Sequence, residues 1–413
     1  MEHGSRAKVM NFLNEISADY PAAISLAAGR PTDAFAEKLD PPNLADAVAC
    51  YVSHFGKMAS VLQYGRTAGL IRDLVATQVA TDDGLTISTD RVVVTAGCQE
   101  ALFLCIQALC KQPGDVLLVC NPTYIGATGA ADACGVAIIP LEIEEGLVAT
   151  AVEHAVRKLK AQGRTARALY LIPDFDNPTG RVISRDERVS IIEACLRNQI
   201  VVLEDNPYGQ FRFDGDAVPP MAALDHDGCV VYFSTYSKTL CPALRVGSAS
   251  FPKKLFGDRG AAHELFADVV QRKSFVSVNT GQISQAIVGG ILLSQDCSLR
   301  SWVRPALELY RGSRDAMLVE LNSAFASEKA VSWNSPEGGF FLSLSLPFVF
   351  DAEALKICAK DFGVIVMPMS FFALDDSQSR SVRLAFSAAS PLEIRQAVRQ
   401  FAGFVNSRQE LRV

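Results

Sequence analysis

The sequence predicts an α/β fold in which a large domain, with a mostly parallel sheet covered by helices on both faces, is joined to a smaller α/β domain. Three observations predict it. From about residue 90 to residue 250, short Val/Ile/Leu-rich runs alternate with helix-length segments, the pattern of parallel strands buried on both sides. At 413 residues the chain is too long for one ordinary core. Near residue 295 the pattern changes to a long helical stretch followed by short strands. The expected organisation is an N-terminal segment at 1–45 that packs with the small domain, a large domain at 46–295 and a small domain at 296–413.

Residues 1–35 hold a short helical pattern (Val9, Phe12, Leu13, Ile16) and then the run Ile24-Ser25-Leu26-Ala27-Ala28-Gly29-Arg30-Pro31. Residues 91–95 read as a buried strand, and Ala96-Gly97-Cys98-Gln99-Glu100 turns into a helix over 101–110. A strand at 115–120, a helix at 124–133, a strand at 135–140, a helix at 149–161 and a strand at 168–173 follow. Ser184-Arg185-Asp186-Glu187 fits a capping box opening a helix to about 197. Strands are expected at 200–204, 229–234 and 245–250. Beyond them come the helical stretch 299–325, Val331-Ser332-Trp333, a helix at 352–362, strands at 364–367 and 382–386, and a last helix that Ser390-Pro391-Leu392-Glu393 opens with a cap, an N1 proline and an N3 glutamate.

A net charge of −6, with no basic block, argues against a nucleic-acid or anionic-membrane partner. No apolar run approaches the ~20 residues that cross a bilayer, and the N-terminus lacks the order of a signal peptide. The eleven cysteines are scattered, without a Cys-x-x-Cys pair. They read as reduced thiols of a cytoplasmic protein with no metal site.

The stretch richest in chemistry is Val230-Val231-Tyr232-Phe233-Ser234-Thr235-Tyr236-Ser237-Lys238, followed by Arg245-Val246-Gly247. A lysine just past a buried strand can have a depressed pKa and form a Schiff base with a carbonyl. Thr235 and Ser237 point the same way on an extended segment, and Arg245 can hold an anion with two bonds. An amine beside an anion cradle suits an aldehyde that carries a phosphate, and pyridoxal 5'-phosphate is such a compound. Taken alone, Lys238 is also readable as a solvated surface lysine.

Other polar residues collect at strand ends, where ligands of open α/β sheets bind. Gly97, Cys98 and Gln99 open a helix whose backbone N–H groups can hold a phosphate, or form an ordinary turn. Asp205 follows an apolar strand; it can pair with a protonated pyridine nitrogen or cap a helix. Tyr208 can place its hydroxyl near Asp205 or simply pack, and Asn177 can donate to a ligand oxygen. Arg383 is a charge inside an apolar strand; it needs an anion, either a substrate carboxylate or an internal acid.

These residues sit in Leu62-Gln63-Tyr64-Gly65, Thr95-Ala96-Gly97-Cys98-Gln99-Glu100, Asn121-Pro122-Thr123-Tyr124, Asn177-Pro178-Thr179-Gly180, Glu204-Asp205-Asn206-Pro207-Tyr208-Gly209, Ser237-Lys238, Pro336-Glu337-Gly338-Gly339-Phe340 and Arg383-Leu384. In that order the motifs resemble the class I/II aminotransferases among the fold-type I pyridoxal-phosphate enzymes, and within them the branch of 2-aminoadipate, aromatic and kynurenine aminotransferases. The resemblance implies transfer of the amine of an L-α-amino acid to a 2-oxo acid. It implies that Lys238 forms the Schiff base and carries the proton, that Asp205 keeps the ring nitrogen protonated, and that Tyr208 and Asn177 bond the ring oxygen. Tyr124 would stack on the ring and Arg383 take the substrate carboxylate, with Gly29 and Arg30 in the N-terminal specificity segment. Tyr64 would reach the phosphate of a neighbouring subunit, so that a homodimer shares its sites.

Departures from the family pattern bear on the substrate. Cys98 stands where a serine is usual, and Gly65-Arg66-Thr67 is atypical. Asp174 and Asp176 precede Asn177; facing inward, they would repel an acidic substrate and welcome a basic one. The same scaffold can instead decarboxylate, eliminate or oxidise an amino acid. Related domains also serve as effector modules of transcription regulators, but residues 1–35 leave no room for a helix-turn-helix, and the Lys238, Asp205 and Arg383 set favours retained chemistry.

Overall fold

Strands that are apolar on both faces need a sheet covered twice over, and seven of them form one here. The computed structural model describes residues 16–33, 41–143, 147–326 and 328–410; most of the helical pattern expected from Val9 onward lies outside them, with Ile16 inside. After a short β1 (Ile24–Ser25), the chain lays down β2 (Val92–Thr95), β3 (Asp115–Val119), β4 (Ala137–Pro140), β5 (Thr165–Leu171), β6 (Val201–Asn206), β7 (Val230–Thr235) and β8 (Gly247–Ser250). Their spatial order is β2-β8-β7-β6-β5-β3-β4. Only β8 runs against its neighbours.

Alternate residues of each strand feed different cores. Val93, Ala168, Leu203 and Phe233 pack with the helix Cys98–Leu109 and with Arg259–Val276. Val92 and Val94 pack with Arg72–Asp83 and Gln282–Ser294, and Leu169 and Val202 with Val148–Ala161 and Arg185–Arg197. The sheet is covered on both faces, as expected.

A second sheet, ordered β12-β13-β10-β9, follows the long helix Arg300–Ala324. Its strands are β9 (Ser332–Trp333), β10 (Phe341–Ser345), β12 (Met367–Pro368) and β13 (Ser381–Ala385). The strand expected at 364–367 is divided: β11 (Val364–Ile365) pairs with β1, and β12 pairs with β13. The chain changes neighbours at Val366, which an apolar run cannot reveal. β1 and β11 form a two-stranded sheet of their own, and the Ala385 N–H of β13 donates to the Leu26 carbonyl, which ties the segment before residue 33 to the second sheet.

The caps follow their sequence signatures in part. Ser390 and Glu393 bond reciprocally, the Ser390 N–H reaching Glu393 Oε2 at 2.8 Å. At the other box Ser184 Oγ accepts from the Glu187 N–H at 3.3 Å, but the Glu187 carboxylate pairs with Arg181. Among the described residues six α-helices have no counterpart in the sequence reading: Pro41–Phe55, Met58–Leu62, Arg72–Asp83, the single turn Met221–Leu224, Arg259–Val276 and Gln282–Ser294. Gln282–Ser294 is apolar nearly all round and carries a Gly-Gly pair, so its period is hidden. Those glycines let two helices touch: a Cβ at Gly290 would fall 1.8 Å from the Ala47 carbonyl oxygen. Gly290→Ala must push Pro41–Phe55 away, and we expect it to lower unfolding stability by about 1–3 kcal/mol, read from the urea midpoint.

Candidate active site

The direction of the strands decides what meets at the sheet edge. Strands β2, β5, β6 and β7 are mutually parallel, so their carboxyl ends lie together. Gly247 of the reversed β8 sits between Thr95 and Thr235, so the residue just before β8 arrives at the same edge. Arg245 reaches it from there. It was expected inside a strand, but it ends the 3-10 turn Pro242–Leu244 with φ 50°, a left-handed conformation uncommon for a non-glycine residue. Its guanidinium donates to Ser237 Oγ at 3.1 Å and to the Ala96 carbonyl at 3.3 Å.

A cavity of about 270 Å³ opens at this edge, lined by Gly29, Cys98, Gln99, Tyr124, Asn177, Asp205, Tyr208, Thr235, Ser237, Lys238, Arg245 and Arg383. Gly97 stands one residue behind the wall, with φ 76° and no space for a side chain, since a Cβ would meet Arg245 Nη2 at 2.3 Å. A Cβ at Gly247 would lie 2.9 Å from the Cys98 nitrogen. Two glycines thus keep the first turn of the helix Cys98–Leu109 and Arg245 in close approach, where N–H groups and a guanidinium can hold an anion together. Behind that turn, Glu100 Oε2 accepts from the Ala96 N–H at 2.6 Å and from the buried Lys273 at 2.7 Å. Besides Gly97, two predicted residues stay outside the cavity lining. Tyr64 is 85% exposed, and Arg30 pairs with Asp33 at the surface.

Asp205 does not cap a helix. It lies within β6 beside Phe233 of β7, and Tyr170 donates to its Oδ2 at 2.8 Å. Its other oxygen, Oδ1, is buried without a hydrogen-bond partner. Burial pushes its carboxyl up to about 6, opposed by Tyr170, Cys98 and Lys238. The Lys238 amine donates to the Gly29 carbonyl at 2.9 Å. Burial, helped by the charges of Arg383 and Arg245, lowers it from 10.5 to about 8, against the pull of Asp205.

Arg383, in β13, donates to Asn177 Oδ1 at 2.7 Å and to the Ala27 carbonyl at 2.5 Å, both neutral acceptors. Its guanidinium lies 4.3 Å from the centre of the Phe341 ring and 4.5 Å from that of Phe372. Among the described residues no carboxylate pairs with it, and its Nε is buried without an acceptor. Burial lowers its pKa to about 10. Asn177 holds Arg383 with its oxygen, which leaves its Nδ2 as the donor toward the cavity. The Tyr124 hydroxyl donates weakly to Gln99 Oε1 at 3.4 Å. Cys98 turns its thiol to the Ser234 carbonyl, 3.1 Å away.

The two acids ahead of Asn177 are absorbed by the protein. Asp174 pairs with the fully buried Arg188 at 2.8 Å and with Arg212 at 3.3 Å. Asp176 accepts from Thr179 Oγ1 at 2.7 Å, and neither acid lines the cavity. Leu102, Ile172, Pro207 and Phe341 complete the wall. Sequence reasoning missed these four, because an apolar residue carries no sign of facing a ligand.

The residues present fit a phosphorylated pyridine aldehyde. Lys238 is an amine close to neutrality, Asp205 Oδ1 is an unanswered acceptor, and an anion cradle faces both. Such a site on this sheet defines a pyridoxal-phosphate enzyme of the aspartate-aminotransferase-like fold. The family described as aminotransferase class I and II matches residues 21–401. The chain is 35% identical over 407 residues to the (S)-3,5-dihydroxyphenylglycine transaminase of Amycolatopsis orientalis, covering 97% of this chain and 91% of the relative. A multiple substrate aminotransferase from Thermococcus profundus superposes with TM-score 0.83 at 27% identity, covering 100% of this chain and 97% of that one. The alpha-aminoadipate aminotransferase of Thermus thermophilus, complexed with N-(5'-phosphopyridoxyl)-L-leucine, does so with TM-score 0.78 at 26% identity and 98% coverage of both. This chain belongs to the class I and II aminotransferase family, and it is a transaminase that uses pyridoxal phosphate.

The neutral amine of Lys238 accumulates as pH rises through about 8, well below its ordinary 10.5. Covalent uptake of pyridoxal phosphate by the cofactor-free protein, followed by stopped-flow absorbance, is therefore expected to accelerate with a midpoint near 8. A midpoint above 10 would contradict a desolvated Lys238.

Proposed function

We propose that the protein transfers the amino group of an L-α-amino acid with an uncharged, aromatic side chain to a 2-oxo acid. The observation that carries this reading is Arg383, a buried cation with no carboxylate opposite it among the described residues, lining the same cavity as Lys238. A substrate α-carboxylate supplies the missing charge. The cavity's other charged groups are then assigned: Arg245 to the phosphate, Asp205 to the ring nitrogen and Lys238 to the reaction. No second cation is left on the described lining for an acidic side chain, and Asp174 and Asp176 do not offer themselves to a basic one. What remains is the aromatic wall of Phe341 and Tyr208, whose rings stand edge to face at 5.7 Å. Gly29 leaves room there, since any side chain would strike Phe341 at 2.2 Å. The dihydroxyphenylglycine substrate in the name of the Amycolatopsis relative is of this kind.

Bound pyridoxal phosphate supplies an electron sink for the carbanion formed when the amino acid loses its α-proton. The chain's own part is positional and acid–base. Thr235, Ser237, Arg245 and the turn through Gly97, Cys98 and Gln99 would hold the cofactor's phosphate. Asp205 would answer the ring nitrogen, Asn177 and Tyr208 the ring oxygen, and Tyr124 would lie over the ring, all four lining the cavity. With the cofactor bound, Lys238 would be the group that takes up and holds the proton leaving the substrate Cα, a task suited to an amine whose pKa lies near 8.

We further propose a cytoplasmic homodimer built from an N-terminal segment at 1–45, a cofactor-binding unit at 46–295 and a small domain at 296–413. Eleven unpaired thiols suit a reducing compartment. Among the described residues, no helix is long and apolar enough to cross a membrane. Leu62, Tyr64, Phe275 and Ile283 are exposed, and Gly65 abuts Gln282, which brings the segment around Tyr64 beside the helix Gln282–Ser294. A second copy that covers them would carry Tyr64 toward its neighbour's phosphate.

The test is the visible spectrum of the yellow holoenzyme as single amino acids are added without an oxo acid. Aromatic amino acids are expected to bleach it fastest, and a 2-oxo acid to restore it. Release of ammonia or uptake of oxygen in place of that restoration would assign the scaffold to a different reaction. Lys238→Ala is expected to abolish transfer. Arg383→Ala is expected to raise KM for the amino acid about 100-fold, the loss of one partner of a desolvated charge pair.

A further inference from the structure

We propose that Tyr170 is a positioning residue: its hydroxyl holds one oxygen of Asp205, so that the other is presented, ionised, to the ring nitrogen of the bound cofactor. This rests on the assignment of Asp205 given above. Tyr170 has no place in the cavity lining, so it acts only through its neighbour.

The geometry is fixed by the sheet. Tyr170 of β5 lies beside Leu203 of β6, and Asp205 is two residues further along, on the same face. The hydroxyl spans the gap and donates to Oδ2 at 2.8 Å, with Tyr170 only 1% exposed. A carboxylate held at one oxygen by a rigid strand neighbour cannot rotate freely, and Oδ1 is the oxygen left without a partner. Burial and the adjacent Asp205 keep the phenol's pKa well above its ordinary value, so Tyr170 remains a donor and never a competing anion.

The groups that face Asp205 come from every element around it: Tyr170 from β5, Cys98 from the helix Cys98–Leu109, Lys238 from beyond β7, and Tyr124 and Tyr208 from the cavity wall. The thiol and the three phenols are all pushed upward by burial. Near neutrality the charge of this cluster therefore changes through Asp205 and Lys238. A bond to an ionised acceptor favours the ionised form. Without it, Asp205 takes up its proton at a higher pH and the affinity for the cofactor ring fails sooner on acidification.

The test uses pyridoxamine 5'-phosphate, which has no aldehyde and so reports ring contacts apart from the lysine linkage. Its Kd is measured by calorimetry between about pH 5.5 and 8.5 for the wild-type chain, Tyr170→Phe, Asp205→Asn and the double variant. Tyr170→Phe is expected to raise Kd about tenfold near neutral pH and to move the acid limb of the affinity curve upward. In the Asp205→Asn background the same change is expected to have little effect, because there is no carboxylate left to ionise. An unchanged Kd and acid limb in Tyr170→Phe, or an equal loss in both backgrounds, overturns the proposal. Tyr170→Leu serves the same comparison should the phenylalanine variant misfold. A wild-type chain that binds no pyridoxamine phosphate at any pH would instead sink the cofactor assignment itself.

Discussion

Arg383 is a full positive charge placed between two phenyl rings with only neutral acceptors in reach. A buried charge without a counter-charge is among the most destabilising features a fold can carry. It persists because the antiparallel strands on both sides of β13 pin it, at Ser343 and at Met367. Asp205 is the mirror case, a carboxylate locked in a strand with one oxygen unanswered. Two opposite charges thus stand fixed at the cavity, each with part of its hydrogen-bonding capacity open. Such preorganisation is what lets charges act without rearrangement during a reaction.

The large sheet makes that arrangement possible through one irregularity. Were all seven strands parallel, the start of β8 would lie at the far edge of the sheet from Lys238. Reversing β8 carries Arg245 to the edge where β2, β6 and β7 end. The left-handed backbone at Arg245 then turns its side chain between Ser237 and Ala96. Strain at that residue and the side-chain-free glycines at 97 and 247 serve the same end: a cationic cradle too tight for any Cβ.

Much of this was legible in the sequence because the chemistry-bearing residues are few and break apolar runs. Lys238 after Val230-Val231-Tyr232-Phe233, Asp205 after Ile200-Val201-Val202-Leu203 and Arg383 between Val382 and Leu384 each announce a polar group at a strand. Sequence could not say which way a side chain points. Tyr170 read as one more apolar strand residue, although its face of β5 is the one that carries Asp205 on β6. Asp174 and Asp176 looked like candidates to face a substrate, and they turned to Arg188, Arg212 and Thr179, partners that lie up to 38 residues along the chain. The helix Gln282–Ser294 stayed hidden because it is apolar nearly all round and shows no simple period, whereas Pro41–Phe55 carries a plain one in Leu44, Ala47, Val48, Tyr51 and Val52, the face it turns to the core both helices share.

That contrast separates charges closed within the chain from charges left partly open. Asp174 is buried, yet Arg188 and Arg212 neutralise it within the chain. Lys273, buried completely, is met by Glu100 at 2.7 Å and by Ser277 at 2.9 Å. Each of these ions is closed by its own protein and serves to fix one element against another. Asp205 and Arg383 are closed only halfway: one oxygen to Tyr170 in the first case, an amide and a carbonyl in the second. A half-closed ion is held firmly in place by its neutral contacts while its charge stays available. In this fold the partly satisfied charges, more than the strongest ion pairs, mark where the ligand belongs.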